Sequence, residues 1–297
     1  MMKTEIDRDK VGRQFFQNKT KFRPMSFLIF LIFLLSIIFL LRLFENQFIY
    51  FPVKYPGGYW QPETFGVQVE DCYFNAADGV RLHGWLATHE KPIATLLWCT
   101  GNAGNISHRL DNLARLVKLP INVFIFGYRG YGRSEGSPNE NGVYLDALAA
   151  YDYLASRPDI DRNKIVLFGR SLGGSVAVDL ATKRPCAGLI LESTFTSAQD
   201  MAKSSFGFIP VHLFIKTKFD SINKINRLHV PLLLIHGSQD RTVSIRLGKK
   251  LFAAANEPKE FYEIAGADHN DTYIVGGQAY FNRLLDFLRK VSAGSAQ

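Results

Sequence analysis

Residues 164–177, Lys-Ile-Val-Leu-Phe-Gly-Arg-Ser-Leu-Gly-Gly-Ser-Val-Ala, constrain the fold of this chain more than any other stretch. Ile165 to Phe168 form a short apolar run of the kind that makes a buried strand. Gly169-Arg170-Ser171-Leu172-Gly173 then turns sharply, and Ser175 to Ala181 continues with helical spacing. A strand, a tight turn and a helix with serine at the apex make up the G-x-S-x-G nucleophile elbow. A serine at such a strained turn has little room around it, so the residues two before and two after must lack a side chain. The turn lifts Ser171 Oγ above the sheet edge and sets its backbone at a helix N-terminus, where free N–H groups favour a developing oxyanion. Without the flanking strand and helix, the same residues would mark only a glycine-rich turn with an incidental serine.

The surrounding pattern extends this unit into a sheet. Val69 to Phe74 and Val80 to Ala87 read as a hairpin with Asp78-Gly79 in its turn. Ala94 to Cys99 and Val123 to Phe126 are continuous apolar runs, as expected of strands buried on both faces. Gly188 to Leu191, Pro231 to Ile235 and Glu260 to Ile264 supply further strands. Helical spacing appears over Ile106 to Leu119, Val143 to Ala155, Ser244 to Ala255 and Ala279 to Val291. This alternation predicts an α/β fold: a doubly wound, mostly parallel sheet with a leading antiparallel hairpin. The long interruption is Thr194 to Asn226, rich in aromatic and basic residues. It reads either as a small cap or as helix on the sheet face.

The amino-terminal end has a different character. Residues 1–24 carry seven basic and three acidic side chains, a net +4 out of +8 for the whole chain. Met25 to Leu41 is then apolar except for Ser26 and Ser36, and with Arg42 to Phe44 it is long enough to cross a bilayer core of roughly 30 Å. A cleaved signal peptide is the competing reading. The run is longer than a typical apolar signal core, and residues 40–45 offer no small-residue cleavage site. The expected organisation is a basic cytoplasmic tail over 1–24, a single-pass signal anchor over 25–44, a linker over 45–64 and a catalytic domain over 65–297. The basic flank precedes the span, which places the catalytic domain on the extracytoplasmic side. The aromatic stretch Gln47 to Gly58 suits either headgroup depth or a strap packed on the domain. The rest of the chain is only mildly basic, so no nucleic-acid footprint is expected. Cys72, Cys99 and Cys186 are scattered and suggest neither a disulfide framework nor a metal site.

Ligands of parallel sheets bind beyond the carboxyl ends of the strands. After the third strand comes Thr100-Gly101-Asn102-Ala103-Gly104-Asn105, whose small residues allow close backbone approach to a substrate oxygen. The backbone N–H groups of Asn102 and Leu172 are the candidate oxyanion donors. Asp240 follows the strand at Pro231, and His269 follows the strand at Glu260. The order Ser171, Asp240, His269 suits a triad in which His269 takes the serine proton and Asp240 orients the imidazole. Glu192, beyond another strand, is the rival acid. His236 stands four residues from Asp240, where it would order the loop. Asp268 and Asp271 flank His269 too closely to aim at its ring.

With these motifs the chain resembles the α/β-hydrolase superfamily over roughly residues 65–292. The resemblance rests on Gly101-Asn102-Ala103-Gly104-Asn105, Tyr128-Arg129-Gly130-Tyr131-Gly132, Gly169-Arg170-Ser171-Leu172-Gly173-Gly174, His236-Gly237-Ser238-Gln239-Asp240 and Ala267-Asp268-His269-Asn270-Asp271. The nearest pattern is that of the lidless, membrane-anchored α/β-hydrolase-domain proteins, some of which remove acyl chains from lipids or acylated proteins. Thr100 stands where relatives usually have histidine, which bears on how the oxyanion loop is braced. Gly127 stands where aspartate often precedes Tyr-Arg-Gly. The resemblance implies a serine hydrolase acting on ester or thioester bonds of acyl or lipid-like substrates, with no metal or organic cofactor. A peptidase of the aminopeptidase-like branch and a non-catalytic tethered binding protein are the alternatives. Two formal glycosylation sequons, at Asn105 and Asn270, adjoin the proposed site and are expected to be unmodified.

Overall fold

The computed structural model describes residues 24–207 and 211–294. It divides into two units, Met1–Leu43 and Phe44–Gln297. The described part of the first is helix α1 (Pro24–Leu43). Its apolar side chains, Phe27, Leu31 and Phe39 among them, are exposed, and the Ser36 hydroxyl donates back to the Ile32 carbonyl at 2.8 Å. Among the described residues no helix is long and apolar enough to cross a membrane. The expected span over 25–44 coincides with α1, but side chains at 24, 26, 30 and 34 lie outside the described set. The basic tail expected over 1–24 lies almost wholly outside it too.

In the second unit, side-chain alternation along the central strands sets the layers. Strands β4 (Ala94–Cys99) and β7 (Ile165–Arg170) are buried throughout. Successive side chains point to opposite faces, so Leu97, Cys99 and Leu167 enter one apolar cluster and Leu96, Trp98 and Phe168 the other. Helices α4 (Glu140–Ser156) and α5 (Leu172–Ala181) cover the first face through Val143, Ala147, Leu154 and Val176. Helices α3 (Leu110–Leu116) and α8 (Gly277–Gly294) cover the second through Leu113, Leu116, Tyr280 and Leu284.

The remaining strands of the main sheet are β2 (Glu70–Asn75), β3 (Arg81–Ala87), β6 (Ile121–Gly127), β8 (Gly188–Glu192), β9 (Leu232–Gly237) and β10 (Lys259–Ile264). They form an eight-stranded sheet in the order β10-β9-β8-β7-β4-β6-β3-β2. The β2–β3 and β3–β6 pairs are antiparallel and the other pairs parallel. This is the expected sheet with its leading hairpin.

Helix α3 departs from the pattern reading, and two segments take one of the alternatives that it left open. Helix α3 is shorter than the periodicity over Ile106 to Leu119 predicts. Its first turn is a 3-10 segment, Ile106–Arg109, capped by the Asn105 side chain, which accepts from the Ser107 N–H. The segment 194–226 contains α6 (Ala198–Phe206) and α7 (Ile222–Ile225), and its Phe195, Phe219 and Ile225 pack into the first core cluster. The stretch 45–64 is built onto the domain rather than hanging from it. Helix α2 (Glu45–Ile49) leads into β1 (Phe51–Pro52), which pairs in parallel with β5 (Ala103–Gly104).

Candidate active site

The three candidate side chains come from loops that follow β7, β9 and β10, and the sheet order brings those strand ends along one edge. Ser171 caps α5 with φ 56° and ψ −123°. Positive φ is strained for any residue but glycine, so packing must hold it. The Ser171 N–H donates to the Glu192 carbonyl at 2.9 Å, and its own carbonyl accepts from Thr194 Oγ1 at 2.8 Å and the Gly174 N–H at 2.9 Å. The flanking glycines are a steric requirement. A Cβ on Gly173 would lie 2.1 Å from the Cys99 carbonyl oxygen, and one on Gly169 would lie 2.5 Å from the Gly173 oxygen.

His269 Nε2 lies 3.1 Å from Ser171 Oγ, and its Nδ1 lies 2.8 Å from Asp240 Oδ2. The carboxylate accepts, so Nδ1 carries the imidazole proton and Nε2 is free to accept from the serine. Asp240 Oδ1 accepts the N–H groups of Thr242 at 2.9 Å and Val243 at 2.7 Å. Burial would raise the Asp240 carboxyl, but bonds from His236 and His269 and from the Val243 N–H outweigh it. They hold the group well below the ordinary carboxylate range. All three residues are buried, exposing 9% or less of their surface.

The competitors have other work. His236 Nε2–H donates to the Val243 carbonyl at 2.9 Å and sits 3.4 Å from Asp240 Oδ2, so it secures the acid's loop. The Asp268 carboxylate accepts the Arg241 N–H and Nε–H as well as the His269 N–H, and Asp271 accepts the Asp268 N–H. Neither reaches the imidazole ring. Glu192 is fully buried and accepts from Arg170 Nε at 3.1 Å, Thr272 Oγ1 at 2.6 Å and Tyr280 Oη at 2.6 Å. Arg170 in turn donates to the His269 carbonyl at 2.7 Å and Asn270 Oδ1 at 3.0 Å. Glu192 thus anchors the arginine that holds the histidine loop, instead of touching the imidazole. Arg170 is the variable position of the elbow motif, and pattern reasoning gave it no part. The cue available in sequence was its position one residue before the serine, at a strand's carboxyl end.

The loop after β4 lies against the serine. A Cβ on Gly101 would be 3.5 Å from Ser171 Cβ. The backbone N–H groups of Asn102 and Leu172 have no hydrogen-bond partner among the described residues. Leu172 is the first residue of α5, where such groups are unpaired by helix geometry. Chemically, the arrangement offers an oxygen nucleophile, a base within hydrogen-bond reach, a carboxylate that stabilises the protonated base, and two free N–H donors. No cluster of metal-ligating side chains occurs among the described residues.

Comparison with known proteins agrees with this architecture. A family model described as Hydrolase_4, serine aminopeptidase S33, matches residues 90–221. The α/β-hydrolase domain-containing protein WAV2 of Arabidopsis thaliana is 37% identical over 278 residues, covering 84% of this chain and 89% of that protein. Protein bem46 of Schizosaccharomyces pombe is 37% identical, covering 80% of this chain and 84% of its own length. Among solved structures, the Pyrococcus furiosus esterase PF2001 superposes with a TM-score of 0.67 at 20% identity, covering 82% of this chain and 98% of the esterase. At 37% identity over most of both chains, the similarity to WAV2 shows that this chain belongs to the α/β-hydrolase family.

Proposed function

We propose that the chain is a membrane-anchored serine hydrolase that cleaves carboxylic ester or thioester bonds of acyl or lipid-like substrates through an acyl-enzyme. The observation that carries this reading is the continuous path from Ser171 Oγ through His269 to Asp240, with contacts of 3.1 and 2.8 Å. Ser171 Oγ attacks the acyl carbonyl carbon while its proton passes to His269 Nε2. The carbonyl oxygen becomes an oxyanion that accepts from the Asn102 and Leu172 N–H groups. On collapse, His269 gives the proton to the departing alcohol or thiol, leaving an ester on Ser171. Water, deprotonated by His269, repeats the sequence and releases the acid. Asp240 stays ionised and stabilises the imidazolium in both halves.

The anchor is supported by the sequence, in which Met25 to Phe44 is almost wholly apolar. Its polar residues are Ser26, Ser36 and Arg42. The positive residues before it favour a cytoplasmic amino terminus. Confinement near a bilayer favours acyl substrates over soluble ones. A fluorophosphonate probe should label the full chain in detergent and fail on Ser171→Ala; equal labelling of both removes the basis of the reading. Protease protection of the domain in sealed membranes tests the orientation. The serine aminopeptidase label of the matching family model keeps a peptidase as the second reading. Turnover of aminoacyl amides in preference to p-nitrophenyl acyl esters would favour it.

A further inference from the structure

The loop that carries the Asn102 N–H has little structure of its own. Gly101, Ala103 and Gly104 have no side chains able to fix it. The segment that precedes the sheet holds it at several points, alongside bonds from Arg109 and Tyr128 to the Ala103 and Thr100 carbonyls. The Phe51 N–H donates to the Asn102 carbonyl at 2.9 Å, and the Val53 N–H donates to the Gly104 carbonyl at 3.0 Å. In return, Asn102 Nδ2–H donates to the Ile49 carbonyl. Asn105 Nδ2 gives both its hydrogens to the strap, to the Val53 carbonyl at 2.9 Å and the Gly57 carbonyl at 2.8 Å. From the other side, Tyr131 Oη–H donates to the Asn102 carbonyl at 2.7 Å.

A two-residue strand pair is not stable by itself, and this one is clamped at both ends. Upstream, the buried Glu45 carboxylate accepts the Lys216 and Thr217 N–H groups at 2.8 to 3.1 Å, and Tyr50 packs edge-on against Phe219. Downstream, Trp60 packs on His83 and Trp85 and donates its Nε1–H to the Gly57 carbonyl, while Arg133 stacks over Tyr55 and Trp60. Asn102 is therefore tied at its side chain and its carbonyl to backbone that is itself immobilised. Those two ties restrict the residue whose N–H is the candidate oxyanion donor.

We propose that residues 49–57 are a positioning element of the active site, whose backbone holds Asn102, and with it one oxyanion donor, at the angle catalysis requires. The proposal rests on the reading of Ser171 as nucleophile. It also gives the strap a role separate from tethering: the segment that follows α1 in sequence helps to build the oxyanion site.

The test uses the full chain in detergent and two variants, one in the strap and one in the loop. Phe51→Pro removes the donated N–H along with a largely exposed phenyl ring; Tyr50, at φ −110° and ψ 129°, already has the extended conformation that a following proline demands. Asn102→Ala removes the tie to Ile49. Phe48→Ala, which alters an exposed side chain outside these contacts, is the control. Active sites are counted by exhaustive fluorophosphonate titration, so misfolded protein drops out of the comparison. Removing an oxyanion donor outright costs roughly 10²- to 10³-fold in kcat, so a loosened donor is expected to cost about 10- to 100-fold per titrated site. KM should stay within about twofold, and the Ki of an alkyl boronic acid, whose tetrahedral adduct fills the same site, should rise in step with the loss in kcat. Wild-type kcat per titrated site in both variants, with only the number of sites reduced, overturns the proposal. A wild-type chain whose labelling does not depend on Ser171 overturns instead the nucleophile reading, and the proposal with it.

Discussion

Replacing Glu192 by glutamine should unsettle the histidine loop without altering any residue of the candidate triad. The carboxylate is fully buried and accepts from Arg170, Thr272 and Tyr280. Glutamine keeps the shape but trades one accepting oxygen for a donating NH2, so either Arg170 faces another donor or a hydroxyl of Thr272 or Tyr280 must turn round to accept. The Arg170 side chain, 8% exposed, then carries a buried charge without a carboxylate partner. Removing one member of a buried ion pair costs about 3–5 kcal/mol. For a domain of this size that is a fall in Tm of roughly 6–20 °C. Arg170 also donates to the His269 carbonyl, so its release lets the imidazole drift from Ser171 Oγ and should lower kcat per titrated site. The assay is thermal unfolding of wild type, Glu192→Gln, Arg170→Met and the double variant, with hydrolysis measured on each. In the double variant the stranded arginine charge is gone, so its loss should be smaller than the sum of the single losses by roughly 0.5–3 kcal/mol. A single-variant loss under about 1 kcal/mol, or strict additivity, would refute the account of Glu192 as the anchor of Arg170.

Asp240→Asn should lower kcat by about 10³- to 10⁴-fold, because the amide no longer fixes the imidazole tautomer; steady-state rates against active-site titre check it. The depressed Asp240 carboxyl contributes stability in full above the unfolded-chain value of about 4 and loses it as pH falls through the lower folded value. The difference in unfolding free energy between wild type and Asp240→Asn should therefore shrink below about pH 4 and not between neutrality and about pH 5, as urea titrations at several pH values would show. Gly173→Ala places a methyl group 2.1 Å from the Cys99 oxygen and should cost more than about 3 kcal/mol; a variant with near wild-type Tm contradicts the packing of the elbow. Asn105, 4% exposed and with both amide hydrogens bonded, should carry no glycan when the chain is made in a host able to attach one; mass spectrometry of the tryptic peptides settles it.

Much of this protein is written locally. Strand β4 falls on Ala94–Cys99, the residues its apolar run predicts, because a strand buried on both faces is predominantly apolar. The elbow is legible for the same reason, since a strained serine between strand and helix needs glycines on both sides, and that requirement is met within five residues. The choice between acids was not local. Asp240 and Glu192 both stand at strand ends, and only the β9–β8–β7 order, with loops folded across it, turns one toward His269 and the other toward Arg170. Residues 45–64 were equally opaque. Aromatic side chains near an apolar helix suit a membrane interface as well as a packed strap, and backbone bonds between Phe51 and Asn102 leave no trace in residue type. Sequence alone determined which segments become strand, helix or elbow, because periodicity and turn sterics act between near neighbours. Tertiary structure decided which distant side chains meet, and what braces the loop beside the serine, because those contacts join residues tens of positions apart through backbone groups that every residue carries.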